Sequence, residues 1–156
     1  VPLYAFLFYY LVKVYGKRSI LMILMVIILI LLADQISVLI KNHFQRPRPC
    51  HELLLKGWVH LVKEKCGGKF GFVSSHAANT FALAFYIILL KGTWKHWISI
   101  LVLCYAVFVS FSRIYLSAHY PGDILAGALL GFVCAWITWH LFCIVEEKGF
   151  KKIKFN

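Results

Sequence analysis

The stretch from Ile20 to Leu32 contains no charged residue and no polar side chain at all. A helix of that composition has no face to offer water, so it belongs in a buried core or in lipid. Three further apolar stretches of membrane-spanning length follow it, and 62% of the 156 residues are hydrophobic. A soluble domain carries roughly 45–50%. Length and flanking charges place spans at about 2–15, 19–40, 76–91, 97–113 and 121–145. In lipid every backbone polar group must be satisfied within the segment, which dictates helices rather than an open sheet. The expected fold is all-α, an integral membrane bundle of about five transmembrane helices forming one domain over 1–156. The chain starts at Val1 with apolar sequence already under way, and it reads as one that has lost its true start, with a sixth helix upstream. No cleavable signal is readable.

Seventeen Lys and Arg against six Asp and Glu leave a formal charge of +11. The basic residues sit between apolar spans and form no soluble module of their own, which argues against nucleic acid and for anionic lipid as the partner. Short basic connections follow the first span (Lys13, Lys17, Arg18), the third (Lys91, Lys95) and the fifth (Lys148, Lys151, Lys152, Lys154). Positive charge marks the cytoplasmic side. The long loop 41–75 and the turn Arg113–Tyr120 then share the opposite face, although the long loop carries seven basic residues of its own. Within it, Leu53–Val62 is expected as a short helix on the membrane surface.

Cys104, Cys134 and Cys143 fall inside expected spans and read as small packing residues. Cys50 and Cys66 both lie in the non-cytoplasmic loop, where a disulfide between them would stabilise by roughly 3 kcal/mol. Their spacing relative to His43 and His51 fits no usual zinc pattern.

Three polar clusters interrupt the apolar pattern, in 41–49, 73–76 and 112–123. They are KNHFQRPRP, with Lys41 and Arg48; FVSSHAANT, with Ser74, Ser75 and His76; and SRIYLSAHYPGD, with Ser112, Arg113, His119 and Asp123. The topology puts all three at one membrane face. Lys41, Arg48 and Arg113 would form a cationic pocket whose guanidinium forks hold two phosphoryl oxygens at once. Ser74 or Ser75 can cap the third span and Pro121 suits the first turn of the fifth, so two positive helix ends would face the same anion. Asp123 follows His119 by four residues, close to one helical turn, and would hold one ring nitrogen while the other acts as nucleophile. His76, from another helix, would protonate the leaving oxygen.

The competing bland reading is interfacial snorkelling with lipid head-group contact, but four charged residues near membrane level on one face are costly and demand a better reason. His43, His60, His96 and His140 receive no role. Asp34, seven residues before Lys41 on roughly the same helical face, is expected to be structural and paired; Trp58 and Trp97 read as interfacial anchors.

The clusters resemble the signature of the type-2 phosphatidic acid phosphatase superfamily: Lys, six residues, Arg-Pro; then Pro-Ser-Gly-His; then Ser-Arg, five residues, His, three residues, Asp. Lys41, Arg48 and Pro49 match the first, and Ser112, Arg113, His119 and Asp123 the third. The second departs, with Val73 for proline and Ser75 for glycine, and keeps Ser74 and His76. The resemblance implies a six-helix bundle, His119 as nucleophile, Asp123 as its orienting partner, His76 as general acid, a phosphate cradle of Lys41, Arg48, Ser74 and Arg113, and no metal or other cofactor; Ser75 joins the cradle as a neighbouring hydroxyl. The function expected is a bacterial-type lipid phosphatase or diphosphatase of the inner membrane facing the periplasm or exterior. Its favoured substrate is undecaprenyl diphosphate, with phosphatidylglycerol phosphate and lipid A as rivals. Two other classes remain: a non-catalytic anionic-lipid-binding or transport protein, and a metal-dependent hydrolase ligated by His76, His119 and Asp123.

Overall fold

The computed structural model describes residues 2–55, 57–59, 67–90 and 96–153. Five α-helices follow one another: α1 (Pro2–Tyr15), α2 (Arg18–Phe44), α3 (Ser75–Leu89), α4 (His96–Tyr115) and α5 (Pro121–Ile153). Among the described residues there is no strand beyond an isolated antiparallel bridge between Pro47 and Phe70. Three helices, α2, α4 and Pro121–Lys148 of α5, are long and apolar enough to cross a membrane. α1 and α3, with 14 and 15 residues, are shorter. At 1.5 Å per residue α3 is about 22 Å long, against roughly 30 Å for a hydrocarbon core.

α3 is the central element and packs against α2, α4 and α5. Its contact with α5 is the closest because both helices present small residues. A Cβ added to Gly127 would lie 2.7 Å from the Ser74 carbonyl oxygen, and one added to Gly131 would lie 2.6 Å from that of Ala78. Two glycines four apart make a stripe along one helix face, and Ala77, Ala78 and Ala82 answer it from α3. Met22, Met25, Leu29 and Ala33, spaced by three and four along α2, pack with Ala82, Tyr86, Cys134 and Phe142. On the other side Ile98, Val102 and Ala106 of α4 meet Leu83, Ala84 and Ile87. Large apolar side chains on the outward faces, among them Phe108 and Leu125, are exposed, as a helix surrounded by lipid requires.

Several boundaries differ from the expected ones. α2 continues to Phe44 and carries Lys41 inside its last turn; it ends where Gln45 takes a left-handed conformation (φ 49°) and donates its N–H to the Lys41 carbonyl at 3.0 Å. α5 runs eight residues past the expected end at 145, since its Glu- and Lys-containing tail is polar yet compatible with helix. The expected surface helix Leu53–Val62 is replaced, where described, by short 3-10 turns at Pro49–His51 and Leu53–Leu55; residues 60–62 lie outside the described residues. The basic connection with Lys91 and Lys95 also lies outside them.

Cys50 is disulfide-bonded, and its expected partner Cys66 lies outside the described residues. Unreduced protein should therefore yield a single proteolytic peptide linking Cys50 to Cys66 by mass spectrometry; alkylation of Cys66 without reductant would reject the pairing.

Candidate active site

The chain crosses back and forth so that the end of α2, the start of α3, the end of α4 and the start of α5 meet at one end of the bundle. This brings the three polar clusters together. Asp123, with no exposed surface, is the hub. Its Oδ2 accepts the Tyr120 N–H at 2.9 Å and lies 3.5 Å from His119 Nδ1; its Oδ1 pairs with an Arg46 guanidinium nitrogen at 3.0 Å. Its backbone carbonyl accepts the Ser74 N–H at 3.1 Å, which joins α5 to the start of α3.

The four-residue spacing of His119 and Asp123 works differently from a helical turn. His119 precedes the helix, in the turn that includes Ser117 at φ 50°, and Asp123 is the third residue of α5. A carboxylate at that position reaches back to the N–H of the residue preceding the helix, which is half of a capping box. The same reach brings Oδ2 to the imidazole. At 3.5 Å, Nδ1 is at ion-pair separation without a well-formed hydrogen bond, a looseness common in catalytic pairs before substrate binds. His119 is only 3% exposed.

Ser74 caps α3 by accepting the Ala77 N–H at 3.4 Å, so the positive end of that helix is aimed at the cluster. Ser75 begins the helix proper. Its hydroxyl accepts from the Lys41 ammonium and lies 2.6 Å from the Ser37 hydroxyl, which in turn donates to the Asp34 carbonyl at 2.7 Å. Where the resembling signature has glycine, this chain thus uses the side chain to fix Lys41. Asp34 is paired as expected: it attracts Lys41 electrostatically, and its carboxylate also accepts from Asn79 at 3.4 Å.

Arg48 Nε donates to the Phe70 carbonyl at 3.1 Å, and its backbone N–H to Lys69 at 3.1 Å, so the long loop folds over the cluster. Gly71 fits closely there: a Cβ would stand 3.2 Å from both the Arg48 side chain and Asp123 Oδ2, and one of them would have to give by a few tenths of an ångström. Burial pulls the Arg48 guanidinium down from its ordinary value; Asp123 opposes this and Arg113 reinforces it. Arg113 Nε lies 3.3 Å from the Ser112 hydroxyl. Arg46 pairs with the buried carboxylate, Arg48 lies within its electrostatic reach, and Lys41 and Arg113 act on Arg48 in turn, an excess of positive charge that a phosphoryl dianion would balance. His76 is exposed on the first turn of α3 and within electrostatic reach of Arg113, His119, Lys41 and Arg48. Among the described residues no three His, Cys, Asp or Glu side chains gather as a metal-holding group.

Arg46 was absent from the sequence-based set. Besides its pair with Asp123 it lies over the Tyr120 ring, 4.2 Å from the centroid, and its carbonyl accepts the Gly71 N–H at 2.9 Å. Arg46→Ala should lower Tm by several degrees, the loss of a charge-assisted bond to a buried carboxylate, with Arg46→Lys recovering part of it. Thermal unfolding checks this, and an unchanged Tm would deny Arg46 any share in holding Asp123.

With this arrangement drawn, comparison with known proteins gives a concordant result. The PAP2 superfamily matches residues 19–144. The chain belongs to the PAP2 superfamily. It is 37% identical to a lipid A 4'-phosphatase of Bacteroides thetaiotaomicron over 90% of its length and 63% of that protein's, and 32% identical to human dolichyldiphosphatase 1 over 71% of its length and 48% of that protein's. The chain therefore spans less than two thirds of either relative. The crystal structure of Aquifex aeolicus LpxE superposes with a TM-score of 0.63 at 26% identity, covering 85% of this chain and 73% of that one. The superfamily assignment agrees with the helical bundle.

Proposed function

We propose that this PAP2 chain is a membrane lipid phosphatase that works through a phosphohistidine. The observation that carries the reading is the meeting of His119, Asp123 and four cations at one end of the bundle. Asp123 faces Nδ1, which leaves Nε2 as the attacking atom. In the first step an Nε2–P bond forms and the bond from phosphorus to the lipid oxygen breaks, with His76 giving its proton to that oxygen. In the second step water attacks phosphorus and gives a proton to His76, the N–P bond breaks, inorganic phosphate leaves, and both histidines return to their starting states. Charge on the equatorial oxygens is met by Lys41, Arg48, Arg113 and the start of α3 with Ser74. Ser75 acts by holding Lys41.

For the substrate, the comparisons support lipid A better than the undecaprenyl diphosphate favoured by the sequence alone. The lipid A 4'-phosphatase matches 90% of this chain, and the dolichyl enzyme, which serves a polyprenyl diphosphate, matches 71%. We place the site on the periplasmic or outer side of a bacterial inner membrane. Cys50 favours that side, because it is disulfide-bonded and its N–H donates at 3.2 Å to the Ser117 carbonyl in the turn that carries His119.

Purified protein in detergent, offered lipid A, undecaprenyl diphosphate, phosphatidylglycerol phosphate and phosphatidic acid, should show its highest kcat/KM on lipid A. Vanadate should inhibit, and a chelator should leave the rate unchanged. Release from none of the four would defeat the enzymatic reading and leave a lipid-binding role; loss of activity on chelation with recovery on zinc or magnesium would favour a metal-dependent hydrolase.

A further inference from the structure

A pocket of about 340 Å³ opens beside His76, between α1, α2, α3 and α4, lined by Tyr4, Asp34, Ser75, His76, Asn79, Thr80, Tyr105 and Val109. That volume sits at the small end of the range for small-molecule sites, roughly 300–1,000 Å³. Phosphate binding does not use its far wall. There Asp34 places a carboxylate on an apolar membrane-spanning helix, a costly position that calls for a partner. The one hydrogen bond to that carboxylate among the described residues is the long one, 3.4 Å, from Asn79 Nδ2. Since the amide nitrogen must face the carboxylate, the amide oxygen is left over, and Asn79 Oδ1 is buried with no hydrogen-bond partner.

An unpaired buried acceptor costs about 1–3 kcal/mol, and here it stands beside a carboxylate with lone pairs to spare. The Asn79 oxygen therefore lacks a donor. Opposite it, Tyr4 and Tyr105 meet edge to face with ring centroids 6.0 Å apart, which supplies aromatic surface with polar tips. Adjacent acceptors that take two neighbouring O–H or N–H groups, next to tyrosine rings that pack on C–H faces, suit a sugar ring. They do not suit a polyprenyl chain, which has no donor to give.

We propose that this pocket is a head-group subsite for the hydroxyl- or amide-bearing ring of a glycosyl lipid phosphate, with Asp34 and Asn79 as its specificity-determining residues. The proposal rests on the phosphatase reading above and narrows its substrate class. Ser75 and His76 belong to both the pocket and the phosphate cluster, so a ring seated here presents its phosphate ester oxygen to the proposed acid.

The test separates binding from turnover. The full chain carrying His119→Ala, in phosphatidylcholine nanodiscs, is titrated calorimetrically with octyl N-acetylglucosaminide and with an octyl polyoxyethylene ether of the same chain length. The glycoside should bind at least about tenfold more tightly, and Asp34→Asn should erase that preference. Tyr105→Phe, which keeps the ring and the packing, should weaken the glycoside alone and guards against a variant that does not fold. Equal affinity for both amphiphiles, or a preference untouched by Asp34→Asn, overturns the subsite. Phosphate release by the wild type is scored apart: none, with glycoside preference intact, removes the catalytic reading only, and release without the preference removes the subsite only.

Discussion

Phosphate release by His119→Ala should fall by at least about a thousandfold, the loss expected when a covalent nucleophile is removed from a site whose other parts remain. The reason is positional. His119 is held in a turn whose neighbours on both sides are fixed: the Ala118 N–H donates to the Arg113 carbonyl at 3.0 Å and the Tyr120 N–H to Asp123 Oδ2 at 2.9 Å. No other histidine of the cluster stands against a buried carboxylate in this way, so water would have to attack the phosphate directly. The side chain makes no well-formed hydrogen bond, so its removal leaves a small cavity rather than a broken network, and Tm should drop by only a few degrees. Rapid quench into alkaline denaturing detergent, which preserves the acid-labile N–P bond, should trap a phosphoenzyme from labelled substrate in the wild type and none in the variant. Wild-type turnover by His119→Ala would end the phosphohistidine proposal.

A second large effect is expected from a residue with no side chain. Gly127→Val would drive a branched Cβ toward the Ser74 carbonyl oxygen and the Ala77 methyl, which a lone Cβ already meets at 2.7 and 3.1 Å. Backbone cannot yield as a flexible side chain can, so α5 must move off α3. Overpacking of this sort costs about 1–3 kcal/mol or more. The strain falls on the junction where the Ser74 N–H meets the Asp123 carbonyl, so separation there displaces the hub of the site from the helix start that faces it. Activity should fall more than tenfold alongside a lower Tm, since a misplacement of about 1 Å can cost about a hundredfold. Gly122→Ala, with nothing within 4 Å of its Cβ, serves as the control on the same helix. Full activity in Gly127→Val would mean that the α3–α5 contact does not set the site.

Much of this was legible in advance because lipid makes charge conspicuous. In a chain where Ile20 to Leu32 is wholly apolar, Lys41, Arg48, Arg113 and Asp123 stand out, and the alternation of spans forces them to one end. What escaped was whatever depended on a side chain's direction. Arg46 and Arg48 are equivalent by charge; the reversal at Gln45 and the bridge from Pro47 to Phe70 send the first to Asp123 and the second to the loop carbonyls. The spacing of His119 and Asp123 suggested a helical turn, whereas the helix starts between them: Asp123 caps the Tyr120 N–H three residues back, and the same reach meets the imidazole one residue further. Asp34 and Asn79 lie 45 positions apart, and no periodicity links them. The small-residue contact of Gly127 and Gly131 with Ala77, Ala78 and Ala82 was not read from the sequence, because only the folded register shows which small residues face each other.

The short central helix bears on how a substrate arrives. Ser75, at the start of α3, is level with Ser37, since their short side chains touch at 2.6 Å, and α2 climbs seven residues beyond that point to Phe44. Seven residues of helix rise about 10 Å, so the floor of the site is sunk in a well somewhat deeper than the roughly 5–8 Å head-group layer of one leaflet. A phosphate tethered to a buried tail already floats at that depth, whereas a freely dissolved ester would have to shed its hydration to descend.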